Sequence, residues 1–309
     1  MKKLFYLLIL TIILGVVYKY RNNIVNFIMK NFIDNEEVKL EEPNKYYKNI
    51  DYNFVQNTEN LYPTNKQEIL NIIYTTLNRG LNEVIFYCDN NYKECIEDVN
   101  KIAEDTEALS TINNLVHPFN SYKNIYFSIS SYGKITINIK KIYSEAEILL
   151  INNKIDQITN EIFYNGITDY DKIKKFHDYI INNTIYDNNV DIFNQQYIQT
   201  NSNTAVGLLF ENKAICSGYS DTMAIFLSNI GFNNYKISSD EHIWNLVNYD
   251  NLWLHIDATW DDPVTSNGSN ILIDDFFLID SNSLIQRENE LNKNSHDFKK
   301  EYYQEAIQN

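Results

Sequence analysis

Cysteine is scarce, three in 309 residues, too few for a disulfide-built scaffold. Eight glycines and four prolines are also few, and no Gly-rich phosphate loop is present. Neither a CxxC nor an HExxH metal motif occurs, and no internal repeat is visible. Basic residues fall short of acidic ones, 26 Lys and Arg against 41 Asp and Glu, for a net charge of −15. That balance argues against nucleic acid and against anionic membrane surfaces as partners. What is plentiful is apolar: 44% of the residues, ample for a core, in a length that suits one to three domains.

The N-terminus carries the longest apolar run, Leu4 to Tyr18, behind Met1-Lys2-Lys3. This is a basic segment followed by an apolar one, as in a signal or anchor sequence. No Ala-x-Ala-like cleavage site follows, and no cysteine sits where a lipoprotein signal needs one. The run is short of the roughly 20 residues that span a bilayer. Tyr18, Lys19, Tyr20 and Arg21 suit an interfacial anchor. The expectation is an uncleaved membrane anchor over residues 1–21 with the body outside the cytoplasm. Secretion after signal cleavage is the alternative.

Residues 22–62 read as a polar, acidic linker, with Ile24–Phe32 helical. Residues 63–164 read as a small α+β domain without visible chemistry. Thr64–Gln67 suggests a capping box, then Ile69, Ile72, Ile73 and Leu77 repeat at helical spacing up to Gly80. Val84–Cys88 reads as a strand and Tyr92–Leu109 as a helix. Ile125, Phe127, Ile129 and Ile135, Ile137, Ile139 alternate about Ser131-Tyr132-Gly133, a hairpin with glycine in the left-handed position. Ser144 to Glu147 is a second capping box, opening a helix through Ile162. Cys88 and Cys95 either form a disulfide, in an oxidising compartment, or Cys95 joins Ile96, Val99 and Ile102 on a buried helix face. His117 reads as a surface loop histidine. Asp171–Thr184 reads as a helix with a structural His177, followed by Tyr186-Asp187 and a short helix over Thr204–Phe210. Thr265–Asn270 reads as a loop, Phe276–Ile279 as a strand and residues 281–309 as a polar C-terminal tail.

The chemistry lies between Cys216 and Asp262. Tyr219, Met223, Phe226, Leu227 and Ile230 mark one face of a helix that Gly231 stops. Cys216 therefore starts that helix, where unpaired N–H groups and the dipole favour a thiolate. Gly218 in the first turn permits close approach of another backbone or a substrate. Ile243–Asn248 and Leu252–Ala258 read as a β-hairpin about Tyr249-Asp250-Asn251. A turn centred on Tyr249-Asp250 sets His242 opposite Asp257; one on Asp250-Asn251 makes them diagonal neighbours. Either way the two share a face, whereas a three-residue loop separates them. The pattern thus proposes Cys216 as nucleophile, His242 as base and acid, and Asp257 as the group that orients the imidazole. The Cys216 N–H would be one oxyanion donor.

Cys216-Ser-Gly-Tyr219, His242-Ile-Trp244-Asn245 and Asp257-Ala-Thr-Trp260-Asp261-Asp262-Pro263, in that order, resemble the motif blocks of the transglutaminase-like superfamily. These are papain-related Cys-His-Asp thiol enzymes, here of the bacterial membrane-anchored or secreted type. The resemblance covers roughly 165–280. Ala214 and Glu241 depart from positions where the family often has glycine. The resemblance implies an α+β fold with a nucleophile helix on an antiparallel sheet, here preceded by the small α+β domain and an apolar N-terminal helix. It also implies a catalytic domain over 165–280 and a Cys acyl-enzyme formed on protein or peptide amides, cell-wall or surface proteins among them. Water as acceptor makes the chain a peptidase or amidase, and an amine makes it a cross-linking acyltransferase. No cofactor is implied. Two other readings remain: a catalytically silent scaffold or binding module, and a zinc site of Cys216, His242, Asp257 and His255. Trp244 and Trp260 are expected to wall the site, and Asp261 and Asp262 to accept hydrogen bonds at the strand end.

Overall fold

A computed structural model describes residues 2–21, 23–24, 39–89, 91–130, 133–190, 200–263 and 273–307. The N-terminal run is helical, α1 (Lys2–Lys19). No helix among the described residues is long and apolar enough to cross a membrane, in line with a run shorter than a bilayer span. The expected helix beyond Ile24 and the loop over Thr265–Asn270 lie outside the described residues. Part of the expected linker is buried: Tyr52, Val55 and Leu61 are in the core.

Helix α2 (Lys66–Asn78) is capped by Asn65, one residue later than the pattern suggests. Glu68 is the acidic residue that reaches back, accepting from the Thr64 N–H at 2.8 Å, while the Gln67 amide donates to the Phe54 carbonyl and to Asn71. Strand β1 (Glu83–Tyr87) follows. The single helix expected from Tyr92 is two, α3 (Cys95–Glu104) and α4 (Thr106–Leu115). Asp105 leaves the helical conformation and its side chain caps the Ala108 N–H, so the second helix restarts there. A disulfide joins Cys88 to Cys95, which is also buried.

Strands β2 (Tyr122–Ile129) and β3 (Lys134–Lys141) complete an antiparallel sheet of order β1-β3-β2. Gly133 has φ +87°, as the hairpin requires; Ser131 and Tyr132 lie outside the described residues. Helix α5 (Glu145–Ile162) starts on the expected Ser144/Glu147 capping box. Then come α6 (Asp169–Asn183) and β4 (Ile185–Tyr186), which pairs in parallel with β5 (Lys213–Ala214). Helix α7 (Cys216–Asn229) precedes β6 (Asn234–Ser238), β7 (Ile243–Tyr249), β8 (Leu252–Ile256) and β9 (Phe277–Ile279), paired in that order and all antiparallel. Helix α8 (Ser281–Glu290) follows.

Helix α7 packs on β6 and β7, and α4 also packs on β6. β7 is therefore buried on both faces. Trp244 and Leu246 join the apolar cluster of Ile69, Val99 and Ile112, which crosses the expected boundary at residue 164. Val247 joins the other cluster, where the Phe176 and Phe226 rings stack 3.8 Å apart. A buried ion pair, Lys236 Nζ to Asp221 at 2.6 Å, ties α7 to β6, and the Tyr143 hydroxyl donates to the same carboxylate. The expected polar tail instead returns to the core, burying Leu284, Phe298, Tyr303 and Ala306. His117 is likewise buried, not on the surface, and stacks on Tyr46.

Candidate active site

Cys216 opens α7 directly after β5. Ile215 donates its N–H to the Ser202 carbonyl at 2.8 Å, which pins the entry to the helix. Gly218 completes the fit: a Cβ there would lie 2.6 Å from the Ser202 oxygen. The close neighbour anticipated for this glycine is thus backbone of the chain itself. Cys216 is a free, buried cysteine. No side chain caps the helix at Ile215.

His242 immediately precedes β7, and its N–H is held by the Ser239 hydroxyl at 3.1 Å. In the hairpin Tyr249 pairs with Leu252, so Asp250 and Asn251 are the two turn residues. Both have positive φ, 50° and 65°, the conformation of the primed hairpin turns that Asp and Asn tolerate. This is the register that makes His242 and Asp257 diagonal neighbours on one face. His242 Nε2 lies 2.5 Å from Asp257 Oδ2. Cys216 lies near enough to this imidazole to favour its charged form, adding to the effect of Asp257. Cys216, His242 and Asp257 are therefore brought together.

The electrostatics follow from that contact chain. Burial disfavours the charged imidazole, but the Asp257 charge and hydrogen bond, aided by Cys216, push His242 up to about 10. Burial also opposes ionisation of Asp257, yet the His242 charge and the hydrogen bonds from His242 and His296 hold it well below the usual carboxylate range. Its Oδ1 accepts the Thr259 and Trp260 N–H groups at 2.9 and 3.2 Å. The site thus holds a protonated imidazole at neutral pH between the Cys216 sulfur and a carboxylate.

Trp244 stacks beside His242 with ring centroids 5.6 Å apart, and Trp260 lies tilted at 6.2 Å. Both wall the site. Asp261 and Asp262 act as acceptors. Asp261 takes the Phe276 N–H at 3.0 Å and meets His177 Nε2 at 3.1 Å, while Asp262 takes the Tyr219 hydroxyl at 2.6 Å. His177, distant in sequence, therefore supports the strand end that carries Asp257. His255 spends both nitrogens, one on the Trp244 Nε1–H and one on the Ser281 hydroxyl, each at 2.9 Å. Burial, with a smaller push from His296, lowers it to about 3. That leaves it no lone pair for a zinc site with Cys216.

Two residues at the site carry no signal in the motifs. Tyr186, on β4, is set beside Ala214 by the β4–β5 register, and its hydroxyl meets the backbone N–H of Cys216. Burial, with the charges of Cys216 and Asp257, pushes this phenol up to about 12, so it remains a proton donor. His296 comes from the segment read as a tail. Its Nε2 lies 2.8 Å from Asp257 Oδ2. The one available hint was that aromatic Phe298, Tyr302 and Tyr303 interrupt an otherwise polar stretch.

His242, Asp257 and His296 bring three ligand-type atoms within 4.8 Å of one another. Tetrahedral zinc, at about 2.1 Å from each ligand, needs them about 3.4 Å apart. Asp257 Oδ2 already sits 2.5 and 2.8 Å from the two ring nitrogens, so these are hydrogen bonds rather than a set cation cage.

No protein-family model matches the chain, and no curated protein does. A solved structure described as "Crystal structure of a TGase" is similar over 49% of this chain, at 17% identity and a TM-score of 0.36. The chain spans about half of that structure, 47% of its length. A likeness this weak carries no argument about fold or function.

Proposed function

We propose that the chain is a thiol enzyme of the transglutaminase-like kind that forms an acyl-enzyme on Cys216 from protein or peptide amides, including those of surface and cell-wall proteins. One observation carries the reading: His242, paired with the Asp257 carboxylate at 2.5 Å, lies beside Cys216 at the N-terminus of α7. In this mechanism the Cys216 sulfur, its proton lost to His242, attacks the amide carbon. The C–S bond forms and the carbonyl electron pair moves onto oxygen. The Cys216 N–H, released from the Tyr186 hydroxyl as substrate enters, and that hydroxyl beside it are the donors for the oxyanion. The tetrahedral species collapses as imidazolium gives its proton to the leaving nitrogen and the C–N bond breaks. General-acid help of this kind is worth about 100- to 10,000-fold. Neutral His242 then takes a proton from the acceptor, which attacks the thioester and releases the thiolate. Asp257 keeps its charge throughout and holds the ring.

Water is the favoured acceptor. Amine transfer needs a neutral lysine, which an acidic site opposes. Asp261 and Asp262 are occupied by His177 and Tyr219, so exposed Glu241 and the net charge of −15 carry this preference. A location outside the cytoplasm is supported by the Cys88–Cys95 disulfide, which persists in oxidising compartments, and by the basic-apolar N-terminal pattern.

The test is incubation of the protein with a glutamine-containing protein and a labelled primary amine, read by intact mass, beside Cys216→Ala. Cleaved peptide bonds or one-dalton gains that vanish in the variant are expected. Amine incorporation that depends on Cys216 would reverse the acceptor preference. No reaction across a broad substrate set, with Cys216→Ala retaining the protein's binding behaviour, would favour a scaffold.

A further inference from the structure

Asp257 Oδ2 accepts from two imidazoles, and the thiol-enzyme reading uses one of them. His296 is fully buried in its side chain and packed between the rings of Trp244, Trp260 and Phe276, at centroid distances of 4.6, 4.7 and 5.6 Å. Its backbone N–H is held at 2.8 Å by Glu288 Oε1, which also takes the Ser295 N–H. Glu288 is itself buried, on α8. The His296 Nδ1 lies 3.1 Å from the same Glu288 oxygen, in ion-pair reach but without hydrogen-bond geometry. A buried polar ring, oriented by a buried carboxylate and aimed at the carboxylate of the site, is more than a packing residue.

We infer that His296 is a positioning residue that shares the Asp257 carboxylate with His242, so that the C-terminal segment completes the site. The inference rests on the reading of Cys216, His242 and Asp257 as an acyl-transfer set. It makes two physical contributions. First, the carboxylate is fixed on both oxygens independently of His242: Oδ1 by Thr259 and Trp260, Oδ2 by His296. The imidazole of His242 can then change protonation through the cycle without its partner turning. Second, a donor on Oδ2 draws charge away from the His242 contact, so the imidazolium is bound less tightly and gives up its proton more readily. The charged or titratable groups facing His296 are Asp257 and His242 across the contact, Glu288 on α8 and His255 on β8.

The experiment compares His296→Leu, which fills space without a donor, with His296→Gln, which keeps an N–H donor. Both are read by melting temperature, by kcat and KM, and by the rate of Cys216 alkylation with iodoacetamide against pH. For the leucine variant kcat is expected to fall about ten- to hundredfold at similar KM, by analogy with the loss of groups that orient metal-ligating side chains. Its thiolate–imidazolium pair should persist to higher pH, and the glutamine variant should recover much of the loss. A folded leucine variant with wild-type kcat and an unshifted alkylation profile overturns the inference. So does equal loss in both variants with KM alone changed. If wild-type Cys216 alkylates at pH 6 no faster than a free thiol, the underlying enzyme reading fails instead. The alkylation profile needs no substrate, so the two failures are distinguishable.

Discussion

His242, Asp257 and the other histidines show how partners, not residue type, set charge. Burial alone pushes an imidazole toward neutrality, and His255 follows it to about 3. His117 is lowered as well, by burial first and then by Lys48 and Lys236. His177 and His242 are raised against the same burial because each touches a carboxylate. This has a consequence for stability. His242 rises from 6.5 to about 10 on folding, so its contribution is complete below about pH 6.5 and is lost as pH rises through 10. Asp257 falls below its ordinary 3.8, so its contribution is present above about pH 4 and is lost as pH drops through the folded value. The pair therefore stabilises the fold most between about pH 4 and 6.5. Thermal melts from pH 6 to 10 should show a steeper loss for wild type than for His242→Gln. Parallel curves would mean that His242 is not held charged by Asp257.

Elements turn these side chains into a site. The hairpin does so through its turn: with Asp250 and Asn251 both at positive φ, the register is fixed and both residues of the pair fall on one face. Sequence reasoning reached that face and left the register open among three turns, because Tyr249, Asp250 and Asn251 all suit a turn. Helix α7 does so through its first turn, where backbone of the Asn201–Asn203 turn lies against Gly218. Gly218→Ala puts a Cβ 2.6 Å from the Ser202 oxygen and 3.1 Å from that of Thr204, both backbone atoms. Overpacking of this kind costs about 1–3 kcal/mol. The variant should melt lower and show altered Cys216 alkylation, since the displaced turn carries the thiol. An unchanged melt and alkylation rate would show that the turn has slack.

At the scale of the whole chain, the C-terminal segment is structural as well as chemical. Leu284, Phe298 and Tyr303 are all buried in the main core. At about 1.5–3 kcal/mol for each large apolar side chain, their burial is worth about 5–9 kcal/mol. That is comparable with the whole stability of an ordinary domain, about 5–15 kcal/mol. A chain ending at Asp280 should therefore lose cooperative unfolding, and with it His296 and the site. Circular dichroism melts of the truncated protein check this. A soluble, cooperatively melting product would make the segment an appendage.

The sequence by itself determined what depends on near neighbours. The helix that starts at Cys216, the Ser144 capping box, the alternating strands and the His242–Asp257 face all follow from periodicity, capping and turn chemistry within about fifteen residues. It missed the break at Asp105, reading one helix from Tyr92 to Leu109, because capping competed with an apolar period that ran on through it. Tertiary structure alone decided the rest. His296 meets Asp257 from 39 residues away, and His177 meets Asp261 from 84. The β4–β5 pairing brings Tyr186 to Cys216. These contacts are made by chain segments returning to a shared core, and nothing in the local pattern of a polar tail or a two-residue strand specifies where it will land.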